Sequence, residues 1–409
     1  MHLHTKFYGL LMAALLVPAL ALADTTITGE KKGAFFRITV PTVWNGDLVI
    51  WNHGFSLAPP APVNDLGPLA ELQLIEGYAV AASSYQQAGW ALFKTRNDLQ
   101  NLVGVFKDNF GTPNRLFLTG GSLGGLVTVA AIEDANIGNV AGAYPFCGAV
   151  AGSRNWDAAL DLRLVYDAVC GDVPGAAIPG GAEGLPPHAS FTQTNLGIAL
   201  HACTGILAPP AFRTPGQNVR LKKILDTLLI PEAFLLTDMG YATFAMSDLI
   251  HDPRKLSGKI GTGNAGVDYG DPAINASIAR VSPNPGAANR LGKNYTPTGK
   301  VGMTKIVSLH TDKDGLVLVE NEREYAKVVP AGNLTTAIVV EGTPTHCGFT
   351  EAETGAGWES LRAWVSGAPQ PTAASIQATC LAMPATFSGP CRIDPGFVIP
   401  DMDGRIRPR

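Results

Sequence analysis

Residues 115–135 read RLFLTGGSLGGLVTVAAIEDA. The first five residues form a short apolar run of the kind a buried strand needs, and residues 123–135 are small and apolar enough for a packed helix. Between them, Gly120-Gly121-Ser122-Leu123-Gly124 fits the pattern G-x-S-x-G. A strand that turns into a helix in so few residues forces the central serine into a strained backbone conformation, and the flanking glycines let neighbouring backbone pass closely. The Ser122 hydroxyl then stands above the sheet at a helix N-terminus, where free N–H groups favour negative charge. A phosphate-binding loop would need a lysine after its glycines, and none stands there. Ser122 is the candidate nucleophile.

Working outward, strands are expected over residues 34–41, 46–52 and 77–84, a helix over 91–110, and a strand over 140–150. The alternation stops over 151–300, where Gly/Pro loops (174–187, 207–217) separate helical stretches at 221–229 and 232–248. It returns with strands at 303–310 and 336–341 and helices at 317–329 and 350–365. The last helix opens with Thr350 and Glu353 at capping-box spacing. Strands alternating with helices imply an α/β fold, a mostly parallel sheet covered on both faces. The expected organisation is one core in two parts (24–150 and 301–366) and a large cap-like insertion (151–300) over the carboxyl ends of the strands. A Pro-rich tail (367–409) is expected on the surface. Phe234, Phe244 and Met246 are the insertion side chains expected to face a pocket.

A serine hydroxyl needs a base, and histidine is the usual one. His346 lies in TPTHCG, between the last strand and the last helix, where a Ser…acid…His order along the chain places the base. His53 and His310 end earlier strands, and His188, His201 and His251 fall in the insertion. The acid should follow the penultimate strand, where HTDKDGLV offers two aspartates. Asp314, just before the next helix, is favoured; Asp312 is the alternative and is also placed to cap the turn. The donors for a developing oxyanion are expected to be the backbone N–H groups of Leu123 and of Phe55, the latter in NHGF after the 46–52 strand, with Gly54 as the alternative to Phe55.

The 409 residues are 46% hydrophobic and 16% charged with a net charge of -4, which fits a large buried core and excludes a disordered chain. No basic stretch with interleaved aromatics supports nucleic-acid binding. Residues 1–23 read as a signal peptide: Lys6, an apolar run, then Ala21-Leu22-Ala23, which predicts a secreted or periplasmic protein with no integral membrane segment after cleavage. The six cysteines all follow it, and an even number in an exported chain points to disulfides. Closeness along the chain favours Cys380–Cys391 and Cys170–Cys203, leaving Cys147 and Cys347. None has metal-ligand spacing, and neither HExxH nor a strand-borne GxGxxG occurs, so neither a metal nor an organic cofactor is expected.

NHGF (52–55), GYAVAASSYQQAGWA (77–91), LTGGSLGG (118–125), DGLV (314–317) and HCGFTEAE (346–353) together resemble the α/β-hydrolase superfamily, and its secreted esterase and prolyl-oligopeptidase-like branches more than its lipases. The resemblance covers the two flanks, and the middle matches no known family. Gly121 departs from it, since many members carry a larger residue there. It implies hydrolysis of a carboxylic ester, small or polymeric, through an acyl-enzyme on Ser122. The alternatives are a peptidase or amidase with the same triad, and an exported binding protein on a hydrolase scaffold.

Overall fold

A computed structural model describes residues 24–401. The signal peptide expected over 1–23 lies outside the described residues. Eight strands form one sheet: β1 (Thr25–Lys31), β2 (Ala34–Val40), β3 (Leu48–Asn52), β4 (Ala79–Ser83), β5 (Leu116–Gly121), β6 (Val140–Phe146), β7 (Lys305–Thr311) and β8 (Leu334–Val339). Their order is β1-β2-β4-β3-β5-β6-β7-β8. β1 and β2 pair antiparallel, β2 meets β4 antiparallel, and every other pairing is parallel. This is the expected α/β architecture, an α/β-hydrolase fold.

The core follows from the two-residue period of the strands. Leu48 and Ile50 of β3, with Leu116 and Leu118 of β5, enter the core on one face of the sheet. Val49 and Trp51, with Phe117, enter the other. A strand buried on both faces reads as a continuous apolar run, which is why these strands were legible. One face is covered by helices Thr95–Phe110 and Leu123–Ile132 and by the middle of the chain, the other by Glu351–Val365 and its neighbours. Thr350 caps the last of these in the expected box, its hydroxyl accepting from Glu353 N–H while the Glu353 side chain accepts from Thr350 N–H.

Several elements differ from expectation. β1 was not foreseen: its TTITGEK alternates between polar residues and carries little apolar signal, and it is held as an edge hairpin on β2. The helix Asn155–Cys170 was also missed. The stretch 232–248 is not one regular helix. A turn at Glu232–Phe234 leads to Leu235–Gly240, then to a widened π turn over Tyr241–Ala245, then to Met246–His251.

Most residues of the C-terminal tail are exposed or half-buried, but its helix Ala373–Leu381 buries Ile376 and Cys380, and Ile393 bridges to Val339 of β8, so these three residues join one face of the core. The disulfides are Cys147–Cys347, Cys170–Cys203 and Cys380–Cys391, the pairing that closeness along the chain favoured. No helix among the described residues is long and apolar enough to cross a membrane.

Candidate active site

β4 and β5 lie on opposite sides of β3, so the connections leaving β3 and β5 part there and open a crevice at the carboxyl ends of the strands. Ser122 sits at that point. Asn52, the last residue of β3, pairs with Gly120 of β5, which sets the NHGF turn beside Ser122. Ser122 has φ 57° and ψ −126°, a left-handed backbone conformation that is costly for a residue with a side chain. The surroundings leave no slack: a Cβ on Gly124 would fall 1.9 Å from the Asn52 carbonyl oxygen, and one on Gly120 2.3 Å from that of Gly124. The two glycines are what let β5 turn into its helix against β3.

Ser122 Oγ lies 2.8 Å from His346 Nε2, and His346 Nδ1 lies 2.6 Å from Asp314 Oδ2. The other Asp314 oxygen accepts from Leu316 N–H and Val317 N–H, both at 3.0 Å. The Asp314 side chain is fully buried, so its hydrogen bonds aim it at His346 with little freedom to turn away. Asp312 is used differently. Its Oδ1 accepts from Glu341 N–H at 2.8 Å, tying the end of β7 to the chain after β8. The structure thus brings Ser122, His346 and Asp314 together and leaves Asp312 as a turn-capping residue.

Other contacts hold the histidine loop. Cys347, next to His346, is bonded to Cys147 just beyond β6. The loop is closed on itself through Thr345 and Glu341, and Arg392 of the tail donates to the Gly348 carbonyl at 2.7 Å while pairing with buried Glu353. Cys147, His346 and Cys347 also form a cluster with potential metal-ligand atoms, but both sulfurs are committed to the disulfide.

Phe55 N–H and Leu123 N–H have no acceptor among the described residues. Gly54 lies beside the nucleophile: a Cβ there would stand 3.9 Å from Ser122 Oγ. The remaining strand-end histidines are turned to other work. His53 stacks on Tyr85, and His310 is wholly buried with Nδ1 3.0 Å from the Thr311 carbonyl oxygen. Burial lowers the His310 pKa, with Asp314 opposing the shift.

A cavity of about 290 Å³ opens at Ser122. The missed helix Asn155–Cys170 supplies much of its wall through Trp156, Ala159 and Leu162, and Leu228, Ile230 and Tyr241 close it from later in the middle segment. Phe234, Phe244 and Met246, expected in the wall, do not line it. Phe234 instead packs on Gly315, where a Cβ would meet its ring at 2.6 Å, and so covers the turn that carries Asp314. Asp238 does line the cavity and had no signal in the sequence. It is 8% exposed, and its Oδ1 has no hydrogen-bond partner. Burial, and after it the Asp314 carboxylate, push its carboxyl well above the ordinary range.

No family model matches the chain, and no curated protein matches it. Solved structures similar to it include an esterase from Aspergillus oryzae (13% identity over 85% of this chain and 80% of that one, TM-score 0.43). Candida antarctica lipase A in its closed state is another (11%, 85% and 77%, TM-score 0.42). A membrane phospholipase A described as a bacterial virulence factor is a third (15%, 85% and 88%, TM-score 0.39). The assignment of the fold rests on this chain's own features and not on those similarities: the strand order and the strand–Ser122–helix turn are those of the α/β-hydrolase fold.

Proposed function

We propose that this protein is an exported serine hydrolase that cleaves carboxylic esters. The observation that carries the reading is the line of hydrogen bonds from Ser122 through His346 to Asp314, starting from a serine held in a left-handed turn. In this reading Asp314 holds His346 with Nδ1 protonated and Nε2 free to take the Ser122 proton. Ser122 Oγ attacks the ester carbonyl carbon, and the oxygen that becomes negative is received by Phe55 N–H and Leu123 N–H. The tetrahedral intermediate collapses, the alcohol leaves with the proton from His346, and the acyl group stays on Ser122. Water, deprotonated by His346, then attacks the acyl-enzyme and releases the acid.

The middle segment, 151–300, acts in this reading as a cap whose inner face sets specificity, supported by its share of the cavity wall. Export is supported by the three disulfides, which persist in oxidising compartments. A panel of p-nitrophenyl esters of rising acyl length, run beside the matching anilides, tests the reaction class. Turnover of esters with far slower anilide cleavage is the expected result. Faster anilides would move the chain to the amidases, and turnover of neither would leave a binding protein on this scaffold.

A further inference from the structure

The cavity at Ser122 is one-sided in charge. Asp161, Asp238 and the rim residue Asp268 line it, and no lysine, arginine or histidine does. Two of these carboxylates have partners in the protein. Asp161 accepts from the Tyr269 hydroxyl at 2.6 Å, and Asp268 from Gly270 N–H and the Asn275 side chain. Arg280 acts on Asp268 through its charge, and its guanidinium donates to the Val267 carbonyl and packs over the Tyr269 ring. Asp238 is the exception: nine-tenths buried, facing the cavity, with one oxygen bonded to nothing.

Aromatic rings stand among the aliphatic side chains that line the same cavity. Tyr241, one turn after Asp238 on the same helical face, sets its ring 4.9 Å from that of Phe55. Trp90 and Trp156 meet edge to face at 5.5 Å, and all four rings line the same cavity. Ring faces carry partial negative charge and attract cations, most strongly where water is excluded. A carboxyl without a partner, aromatic faces and no competing cation are together the chemistry that receives an ammonium group.

We infer that the cavity beside Ser122 binds a cationic, amine- or ammonium-bearing limb of the substrate, and that Asp238 is the residue that pairs with it. In the complex the Asp238 carboxylate forms the ion pair. The inference deepens the ester-hydrolase reading and rests on it for turnover, but not for binding.

Two measurements on the intact chain test it. The first titrates tetramethylammonium chloride against the intrinsic tryptophan fluorescence, to which Trp90 and Trp156 contribute, with sodium chloride as the ionic-strength control. Saturable binding is expected, weakened about tenfold or more by Asp238→Asn. No saturable binding, or equal binding by the variant, overturns the inference.

The second compares kcat/KM for shape-matched esters ending in trimethylammonium or tert-butyl. One pair carries that group on the alcohol limb and the other on the acyl limb. The charged member is expected to win by about tenfold or more in one pair, and Asp238→Asn should abolish that ratio. A smaller preference in both pairs overturns the cation site and leaves the hydrolase standing. Saturable, Asp238-dependent binding with no hydrolysis of any ester does the reverse. Should Asp238→Asn fail to fold, the parent's binding and its two ratios decide alone.

Discussion

The flanks and the middle of this chain are built on different rules, and they carry different parts of the proposed chemistry. In the flanks, strands alternate their side chains between two cores; Ser122 ends a strand fixed by its ladder, and Asp314 and His346 follow β7 and β8 on loops held by hydrogen bonds and the Cys147–Cys347 disulfide. Between Phe146 and Lys305 no strand occurs among the described residues. Helices there are joined by Gly/Pro loops, and the side chains that meet at the cavity come from Trp156, Leu228 and Tyr241, far apart in sequence. The difference teaches where each property resides. In the proposed reading, reactivity resides in the flanks, where the triad is placed by strands and tied loops, and selectivity resides in the wall that the helices of the middle build. Substitutions in the flanks should abolish the reaction, and substitutions in the middle should redirect it.

The largest expected effect is in the flanks. Ser122→Ala should fold normally and lower kcat by something on the order of 10⁶, with His346→Ala comparably damaging. Steady-state kinetics on the best ester decides it, and a Ser122→Ala chain that kept several per cent of its activity would break the comparison outright. Next, Asp314→Asn should lose roughly 10⁴ in rate, because the imidazole is no longer held in the required tautomer. Asp312→Asn should act mainly on stability, since Asp312 holds Glu341 N–H and not His346. Equal rate losses in the two variants would contradict the geometry.

The middle should answer differently. Tyr241→Ala and Leu228→Ala should change the ranking of acyl lengths in kcat/KM by roughly 10- to 200-fold, the worth of one or two methylenes in an apolar site. Their reactivity toward a small fluorophosphonate should stay near that of the parent. Phe234→Ala is a sharper case, because its ring covers Gly315 next to Asp314 and does not line the cavity. It should lower the rate toward all esters together without changing their ranking, and a changed ranking would place it in the wall after all.

The last effect concerns stability and not turnover. Glu322 is fully buried, accepting from the Ser308 hydroxyl of β7 and the Thr336 hydroxyl of β8. Burial lifts its pKa from 4.5 to about 7, against those two hydrogen bonds. The folded chain therefore keeps a proton that the unfolded chain gives up between these values. That stabilisation is complete below 4.5 and is lost as pH rises to about 7. Glu322→Gln should match the parent at pH 4.5 and gain on it by about 3 kcal/mol at pH 8, read from urea unfolding. Parallel pH curves for the two chains would show that the flank core does not hold this acid neutral.

The same contrast explains what the sequence could disclose. Ser122 was legible because a strand signal, a glycine-framed serine and a helix signal are local and adjacent. His346 and Asp314 were legible because each follows a recognisable strand, though the choice of Asp314 over Asp312 needed the hydrogen bonds. The cavity was not legible. Its walls come from helices whose approach is tertiary, and the helix Asn155–Cys170 was not foreseen. Phe244 lies within the π turn over Tyr241–Ala245 and Met246 directly after it, so neither holds the phase that a regular helix over 232–248 would give it. Asp238 left no trace, since nothing local marks an aspartate that will be buried without a partner.

The proposed mechanism stands or falls with Ser122 as a nucleophile activated by His346. The most direct measurement treats the intact chain with a fluorophosphonate and maps the adduct by peptide mass spectrometry, in the parent and in His346→Ala. The account predicts one adduct, on Ser122, formed rapidly in the parent and orders of magnitude more slowly in His346→Ala. An adduct on another residue, or labelling of Ser122 at the same rate without His346, would contradict it.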